Sequence, residues 1–203
     1  MPGLILTAAK LWFYRNWMYA GLVVATFLIV LLPLLAADWS LALVATFIQL
    51  PAYLLHQVEE HAGDRFRRFI NSRVAHAANA LTTAAVVVIN VPLVWGVDLA
   101  ALYLARYVAI GWGLIAIYLT LVNATVHIVA GIALRGYNPG LATAVAVFLP
   151  ASIWGVVVMA GTPGVTLLQH AVGLVLALLV HVGLAAHVLR RARRIRNAAP
   201  GVA

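Results

Sequence analysis

Two carboxylates and two imidazoles stand together at the end of a largely apolar stretch. Residues 41–55 are followed by His56, Glu59, Glu60 and His61, in a chain of 203 residues that has only five acidic ones. Because an ionisable group at membrane depth is costly, such a cluster marks a functional site. Imidazole nitrogens and carboxylate oxygens are ligands for zinc, iron and manganese. The cluster therefore predicts a site for a divalent transition metal.

Helical spacing decides which of these side chains share a face. Relative to His56, Glu59 lies at about 300° and Glu60 at about 40° around a helix, whereas His61 at about 140° is predicted to point elsewhere. A hydrogen-bonded contact between two helices would need one carboxylate, and two adjacent carboxylates repel each other. The pair therefore favours a functional site over a purely structural contact.

Two later segments place further ligands at the same depth. Asn123 and His127 are four residues apart and share a helix face, and His127 lies roughly 10 Å from the predicted helix end. His181 lies roughly 12 Å from the end of its own helix by the same arithmetic. A single histidine within a membrane is usually structural, but three at one depth beside two carboxylates favour metal binding. The predicted metal ligands are His56, Glu59, Glu60, His127 and His181, and the predicted catalytic residues are Glu59, Glu60 and Asn123.

The composition indicates which elements must position these residues. The chain is 65% hydrophobic and 9% charged, with a mean hydropathy of +1.04, whereas soluble domains are roughly 45–50% apolar and 25% charged. We therefore predict an all-α, polytopic membrane protein whose residues 1–203 form a single domain with a basic tail over 190–203. The chain has no cysteine, which excludes disulfides and thiolate ligands.

Apolar stretches long enough to cross a bilayer predict about six transmembrane helices in one bundle. Asn90, Pro92 and Pro150 interrupt these stretches and predict kinks. The predicted spans are 17–37, 41–61, 79–97, 105–134, 141–161 and 165–189.

The basic residues predict the orientation. Twelve of the thirteen Lys and Arg residues fall on one side of the six predicted spans, so both termini should be cytoplasmic in a multi-pass protein of the cell membrane. Asp38, Asp98 and Arg106 are predicted in the opposite loops. The net charge of +8 follows from this topology and would attract anionic membrane lipids. No nucleic-acid motif is present, and the sequence does not determine the oligomeric state.

Three short motifs in order resemble a known family. His56-x-x-Glu59-Glu60, Asn123-x-x-x-His127 and the turn Tyr137-Asn138-Pro139-Gly140 are similar to the motifs of the HXXEE domain family, membrane proteins without an established function. The resemblance spans roughly residues 41–160 and implies that the three motifs form one site. His61 and His181 are not part of the family pattern. Independently, the turn is typical of a helix end followed by a proline-initiated helix, and Tyr137, Pro139 and Gly140 are predicted to contact the substrate.

These observations predict a metal-dependent membrane enzyme, a hydrolase or an oxidoreductase, acting on a lipidic or amphiphilic substrate. The zincin motif does not fit, because His61 is one residue late. A proton-coupled transporter is the main alternative, since proton relays use intramembrane Glu and His. A metal-independent glutamate-type intramembrane protease is a further alternative, because Glu59-Glu60 before Arg65, with His127 and His181 later, resembles the CAAX-type endopeptidases. The Arg65 spacing and the number of spans differ from that family. A purely structural protein is the remaining possibility.

Overall fold

The computed structural model describes residues 2–198, and this part of the chain contains helices and no strands. Six helices are long and apolar enough to cross a membrane, which confirms the predicted all-α bundle. Residue 1 and residues 199–203, the end of the predicted basic tail, lie outside the described residues. The helices are helix 1 (Pro2–Leu35), helix 2 (Leu41–Val74), helix 3 (Thr83–Tyr107), helix 4 (Ile110–Ala133), helix 5 (Leu141–Ala160) and helix 6 (Leu167–Ala198).

Helix 2 lies at the centre of the bundle. In its most apolar part 67% of the residues are buried inside the protein, against 17% in helix 1 and helix 6. It packs on helices 1, 4 and 5, and helix 4 packs on helices 5 and 6. The titratable residues of helix 2 are therefore enclosed by protein, whereas the outer helices expose apolar side chains.

Helix 2 is interrupted at Ile48, three residues before Pro51, and it bends after His61. Its start is capped by Ser40, whose hydroxyl accepts from the Leu43 amide. After His61, Gly63 and Asp64 adopt left-handed backbone angles with φ of 64° and 62°, which end the regular helix. The chain then continues as the arginine-rich helical segment Arg65–Phe69. The regular part of the helix thus ends at His61, the residue at which the second span was predicted to end.

Wider helical turns occur where kinks were predicted. The segment Ile89–Trp95, which contains Pro92, and the segment Ala144–Phe148, which precedes Pro150, both have π-helical hydrogen bonding. Proline lacks the N–H that a regular helix needs, and such bulges are frequent at functional sites. The second bulge matters most here, because it positions Phe148 at the centre of the bundle.

The boundary between helices 3 and 4 differs from the prediction. Helix 3 continues to Tyr107, and only residues 108 and 109 separate it from helix 4. The placement of Asp98 and Arg106 in an outer loop was therefore wrong. A charged residue usually marks a loop in an apolar sequence, but the Asp98 side chain is buried between helices.

Arginines from helices 2 and 6 and from the connection after helix 4 lie at one end of the bundle. Arg191 and Arg196 in helix 6 donate to the carbonyls of Asn79 and Ala75 in the connection between helices 2 and 3, at 2.9 and 3.0 Å. Helix 6 extends through Arg196 to Ala198, so this part of the predicted tail is helical. We call this end, with the connections 75–82 and 134–140, the arginine-rich end.

Candidate metal centre

Three imidazoles surround the carboxylate of Glu60 near the arginine-rich end. His127 Nε2 lies 3.1 Å from Glu60 Oε1, while His61 Nε2 and His56 Nε2 lie 3.2 and 3.6 Å from Oε2. All four side chains are buried. The ligand atoms of His56, Glu60 and His127 lie within 4.8 Å of one another, close enough to hold one metal ion. The structure thus brings helices 2 and 4 together at the predicted depth.

The turn before helix 5 fixes the orientation of the His127 ring. Its Nδ1 lies 2.6 Å from Oδ1 of Asn138, and the Asn138 amide nitrogen donates to the His127 carbonyl at 2.9 Å. Since the amide nitrogen is used there, Oδ1 must accept from Nδ1–H. The remaining nitrogen, Nε2, therefore faces Glu60; it donates to the carboxylate when protonated and is free to bind a metal ion when it is not.

Thr143 fixes the ring of His56 in the same way. The Thr143 hydroxyl donates to Glu59 Oε2 at 2.5 Å, and His56 Nδ1 lies 2.7 Å from the same hydroxyl oxygen. A hydroxyl has a single proton, so Thr143 accepts from His56 Nδ1–H. Partners of this kind on the second ring nitrogen are characteristic of histidines that bind metals. His56 Nε2 is thereby free to act as a ligand.

The resulting centre contains nitrogen atoms that lack a partner. His127 Nε2 donates to the Glu60 carboxylate, whereas within residues 2–198 the buried Nε2 atoms of His56 and His61 have no hydrogen-bond partner. A buried charge or polar atom is costly unless it is paired. The charge of the Glu60 carboxylate can be compensated by the His127 proton or by a metal ion that replaces it, and the ligand set of two imidazoles and one carboxylate is suited to zinc or iron.

Gly140 and Phe148 close the centre on two sides. The Phe148 ring stacks on the His56 ring, with centroids 4.1 Å apart and an interplanar angle of 28°. A Cβ at position 140 would lie 2.6 Å from His127 Cε1, 2.8 Å from His56 Cε1 and 2.9 Å from Glu60 Cγ. Gly140 also has a φ of 101°, which side chains disfavour. Glycine is therefore required here for both space and backbone conformation.

Glu59 binds the turn rather than the other candidate ligands. Its carboxylate accepts from the Tyr137 hydroxyl at 2.6 Å and from the amides of Ala142 and Thr143 at 3.1 and 2.7 Å. Free amides at the start of a helix are favourable partners for a carboxylate. Burial, together with the bond to Glu59, raises the pKa of the Tyr137 hydroxyl, which keeps it a donor. Glu59 thus joins helix 2 to the start of helix 5.

Asn123 and His181 lie near the centre but outside the group of three ligands. Asn123 is one turn from His127 and neighbours the Tyr53 hydroxyl; its own buried Oδ1 lacks a hydrogen-bond partner in the described chain. His181 Nδ1 donates to the Ala177 carbonyl at 2.8 Å, within helix 6. Their roles, like a ligand role for Glu59, stay predictions.

Three residues of the centre were missed by the sequence analysis. His61 was predicted to point away; this was wrong because Glu60 lies between His56 and His61 around the helix, so its long side chain reaches both. Asn138 was noted only as part of a turn. Thr143 was not considered, because nothing in its sequence context marks it as a site residue. Its bond to His56 depends on packing between helices.

A family model described as "Protein of unknown function with HXXEE motif" matches residues 47–155, just over half of the chain. The chain belongs to this HXXEE family. No curated protein and no solved structure matches it. The matched range of this HXXEE protein contains Glu60, its three neighbouring histidines and the partners Asn138 and Thr143, whereas His181 lies outside it. The family region therefore coincides with the centre.

Proposed function

We propose that this HXXEE protein is a metal-dependent integral membrane enzyme whose zinc, iron or manganese ion is held by His56, Glu60 and His127. The observation that carries this proposal is the fixed orientation of the two imidazoles. Thr143 and Asn138 each accept from an Nδ1–H, so both Nε2 atoms face the Glu60 carboxylate, where a metal ion could replace the proton. Orienting two rings in this way is what a metal site needs.

Three protein ligands leave a coordination position open for water or substrate. Two histidines and a carboxylate serve both zinc hydrolases and non-haem iron oxygenases, so the proposal covers a hydrolase or an oxidoreductase. A bound ion would supply Lewis-acid or redox chemistry. His61 lies against the second oxygen of Glu60 and is the group available to hold that carboxylate or to exchange a proton with a substrate.

The proposal is tested by the metal content of the purified protein. Elemental analysis of detergent-purified protein should find about one transition-metal ion per chain, since three ligands form a single site. The variants Glu60→Gln and His127→Ala should lose the ion. The control is His187→Ala, which removes an exposed histidine of helix 6. Metal-free wild type, or equal metal in all variants, would refute the proposal.

One observation favours proton-coupled transport as a second candidate. Asp98 is 2% exposed, and neither of its carboxylate oxygens has a hydrogen-bond partner within residues 2–198. Tyr53 lies within electrostatic range of both Asp98 and Glu60, so polar groups continue from the centre into helix 3. Buried carboxylates of this kind carry protons in transporters. Proton flux in vesicles that is lost in Asp98→Asn, with no metal in the wild type, would favour this function.

A further inference from the structure

A cleft of about 530 Å³ opens at the arginine-rich end, between the segment that follows His61 and the turn before helix 5. Four arginines line it, Arg65, Arg68, Arg73 and Arg135, together with His76. None of the lining residues is acidic. The cleft therefore concentrates positive charge in a concave site, where an anion would be surrounded on several sides.

Within residues 2–198, neither nearby acidic residue forms an ion pair with these arginines. Glu59 accepts from Tyr137 and from the amides of Ala142 and Thr143. Asp64 is bound to Arg67 through both of its oxygens, at 2.9 Å to Nε and 2.5 Å to Nη2, and Arg67 does not line the cleft. In the part of the chain that the structure describes, the guanidinium groups of Arg73 and Arg135 have neither a hydrogen bond nor an ion pair. Their donors are available to a ligand.

Two of the arginines are held in place by the backbone. Arg65 donates to the carbonyls of Ala62 and Val58 at 3.0 and 3.2 Å, and Arg68 donates to the Gly63 carbonyl at 2.6 Å. These bonds use some of the five donors of each guanidinium and leave others for a ligand. A freely solvated basic surface would lack such fixed positions. Planar guanidinium groups arranged in this way match the oxygens of a phosphate group.

The cleft also has an apolar side. Phe69 and Leu134 contribute to its lining, and Leu134 follows the last turn of helix 4, where Ile132 is 72% exposed and Val129 58% exposed. An apolar helix face with such exposure contacts lipid in a membrane. A ligand in the cleft could therefore combine an anionic headgroup with an apolar chain.

The cleft shares a wall with the metal centre. Tyr137 and Pro139 line the cleft, and the next residue, Gly140, lies so close to His56, His127 and Glu60 that a Cβ there would overlap them. Tyr137 also donates to Glu59. A headgroup bound by the arginines would thus be separated from the candidate ligands by a single turn of the chain.

We infer that this cleft binds the phosphate group of a phosphorylated amphiphile. The binding follows from the arginines and the apolar side alone. That the bound amphiphile is the substrate class of the metal centre rests on the proposed function.

The inference is tested by measuring the affinity of the detergent-purified full chain for short-chain phosphatidic acid. The variant pair Arg73→Gln/Arg135→Gln should weaken binding at least about tenfold, because two charge-assisted hydrogen-bond donors are lost. The control pair Arg193→Gln/Arg194→Gln removes the same charge from exposed positions in helix 6 and should change affinity less than about twofold. Equal losses in the two pairs would show nonspecific attraction and overturn the inference.

Two further ligands test whether the cleft recognises the phosphate together with the apolar chain of an amphiphile, or free phosphate alone. The matching diacylglycerol should bind much more weakly than phosphatidic acid, and so should inorganic phosphate. Diacylglycerol that binds equally well would remove the role of the phosphate, and inorganic phosphate that binds equally well would overturn the amphiphile assignment. Glu60→Gln should still bind phosphatidic acid. If the wild type contains no metal, and only the pair Arg73→Gln/Arg135→Gln loses lipid binding, the proposed metal-dependent enzyme is refuted but the phosphate-binding cleft is not.

Discussion

At the scale of single residues, the metal centre depends on side chains that would not themselves touch the ion. Thr143 fixes the His56 ring by accepting from Nδ1–H at 2.7 Å. Removal of such a partner typically weakens metal affinity about 10–100-fold, so Thr143→Val, which keeps the shape and loses the hydroxyl, should weaken zinc binding at least about tenfold in a chelator competition titration.

The matched control for this residue is Thr125→Val in helix 4. The Thr125 hydroxyl is exposed and donates to the Leu121 carbonyl of its own helix, so zinc affinity should not change. An unchanged affinity in Thr143→Val would show that the His56 ring needs no hydroxyl partner and would contradict the orientation argument.

At the scale of secondary-structure elements, the turn before helix 5 closes the centre. A side chain at Gly140 would overlap His56, His127 and Glu60, and the neighbouring Glu59 bonds hold the turn against helix 2. Gly140→Ala should therefore displace the turn, reduce metal content and destabilise the fold by about 1–3 kcal/mol, as overpacking does. Thermal unfolding and elemental analysis of the purified variant measure both effects.

Gly136→Ala provides the control in the same connection. A Cβ at Gly136 would meet only the Leu134 carbonyl oxygen at 3.8 Å, so stability should change by less than about 0.5 kcal/mol. If both variants behave alike, the close contact at Gly140 does not determine the position of the turn.

At the scale of the whole molecule, the arginine-rich end is expected to face the cytoplasm. The chain contains no cysteine, so single cysteines can be introduced and labelled with a membrane-impermeant maleimide. Asp38→Cys, in the connection at the opposite end, should be labelled in intact cells, and Ser72→Cys should be labelled only after permeabilisation, because arginines are retained inside. The reverse pattern would place the cleft and the metal centre near the outer leaflet.

The sequence was sufficient for what depends on periodicity and depth. Apolar length predicted six helices, and the matching depths of His56 and His127 allowed a contact if their helices pack, which the family resemblance also implied. The sequence was insufficient where a contact depends on the reach of a long side chain or on a neighbouring helix. The Glu60 side chain is long enough to reach His61. Thr143 contacts His56 only because helix 5 packs against helix 2. Asp98 was predicted in a loop because a charged residue in an apolar sequence usually marks one, and its charge gives no sign that it is buried between helices. Each of these depends on tertiary packing.

The central claim is that two imidazoles and one carboxylate hold a metal ion, and X-ray absorption at the edge of the bound metal tests it most directly. The spectrum of the purified protein should show nitrogen and oxygen ligands at about 2.0–2.2 Å, with multiple scattering from two imidazoles. In any metal retained by His127→Ala, one imidazole should be lost. A spectrum without imidazole scattering, or one that His127→Ala leaves unchanged, would contradict the account.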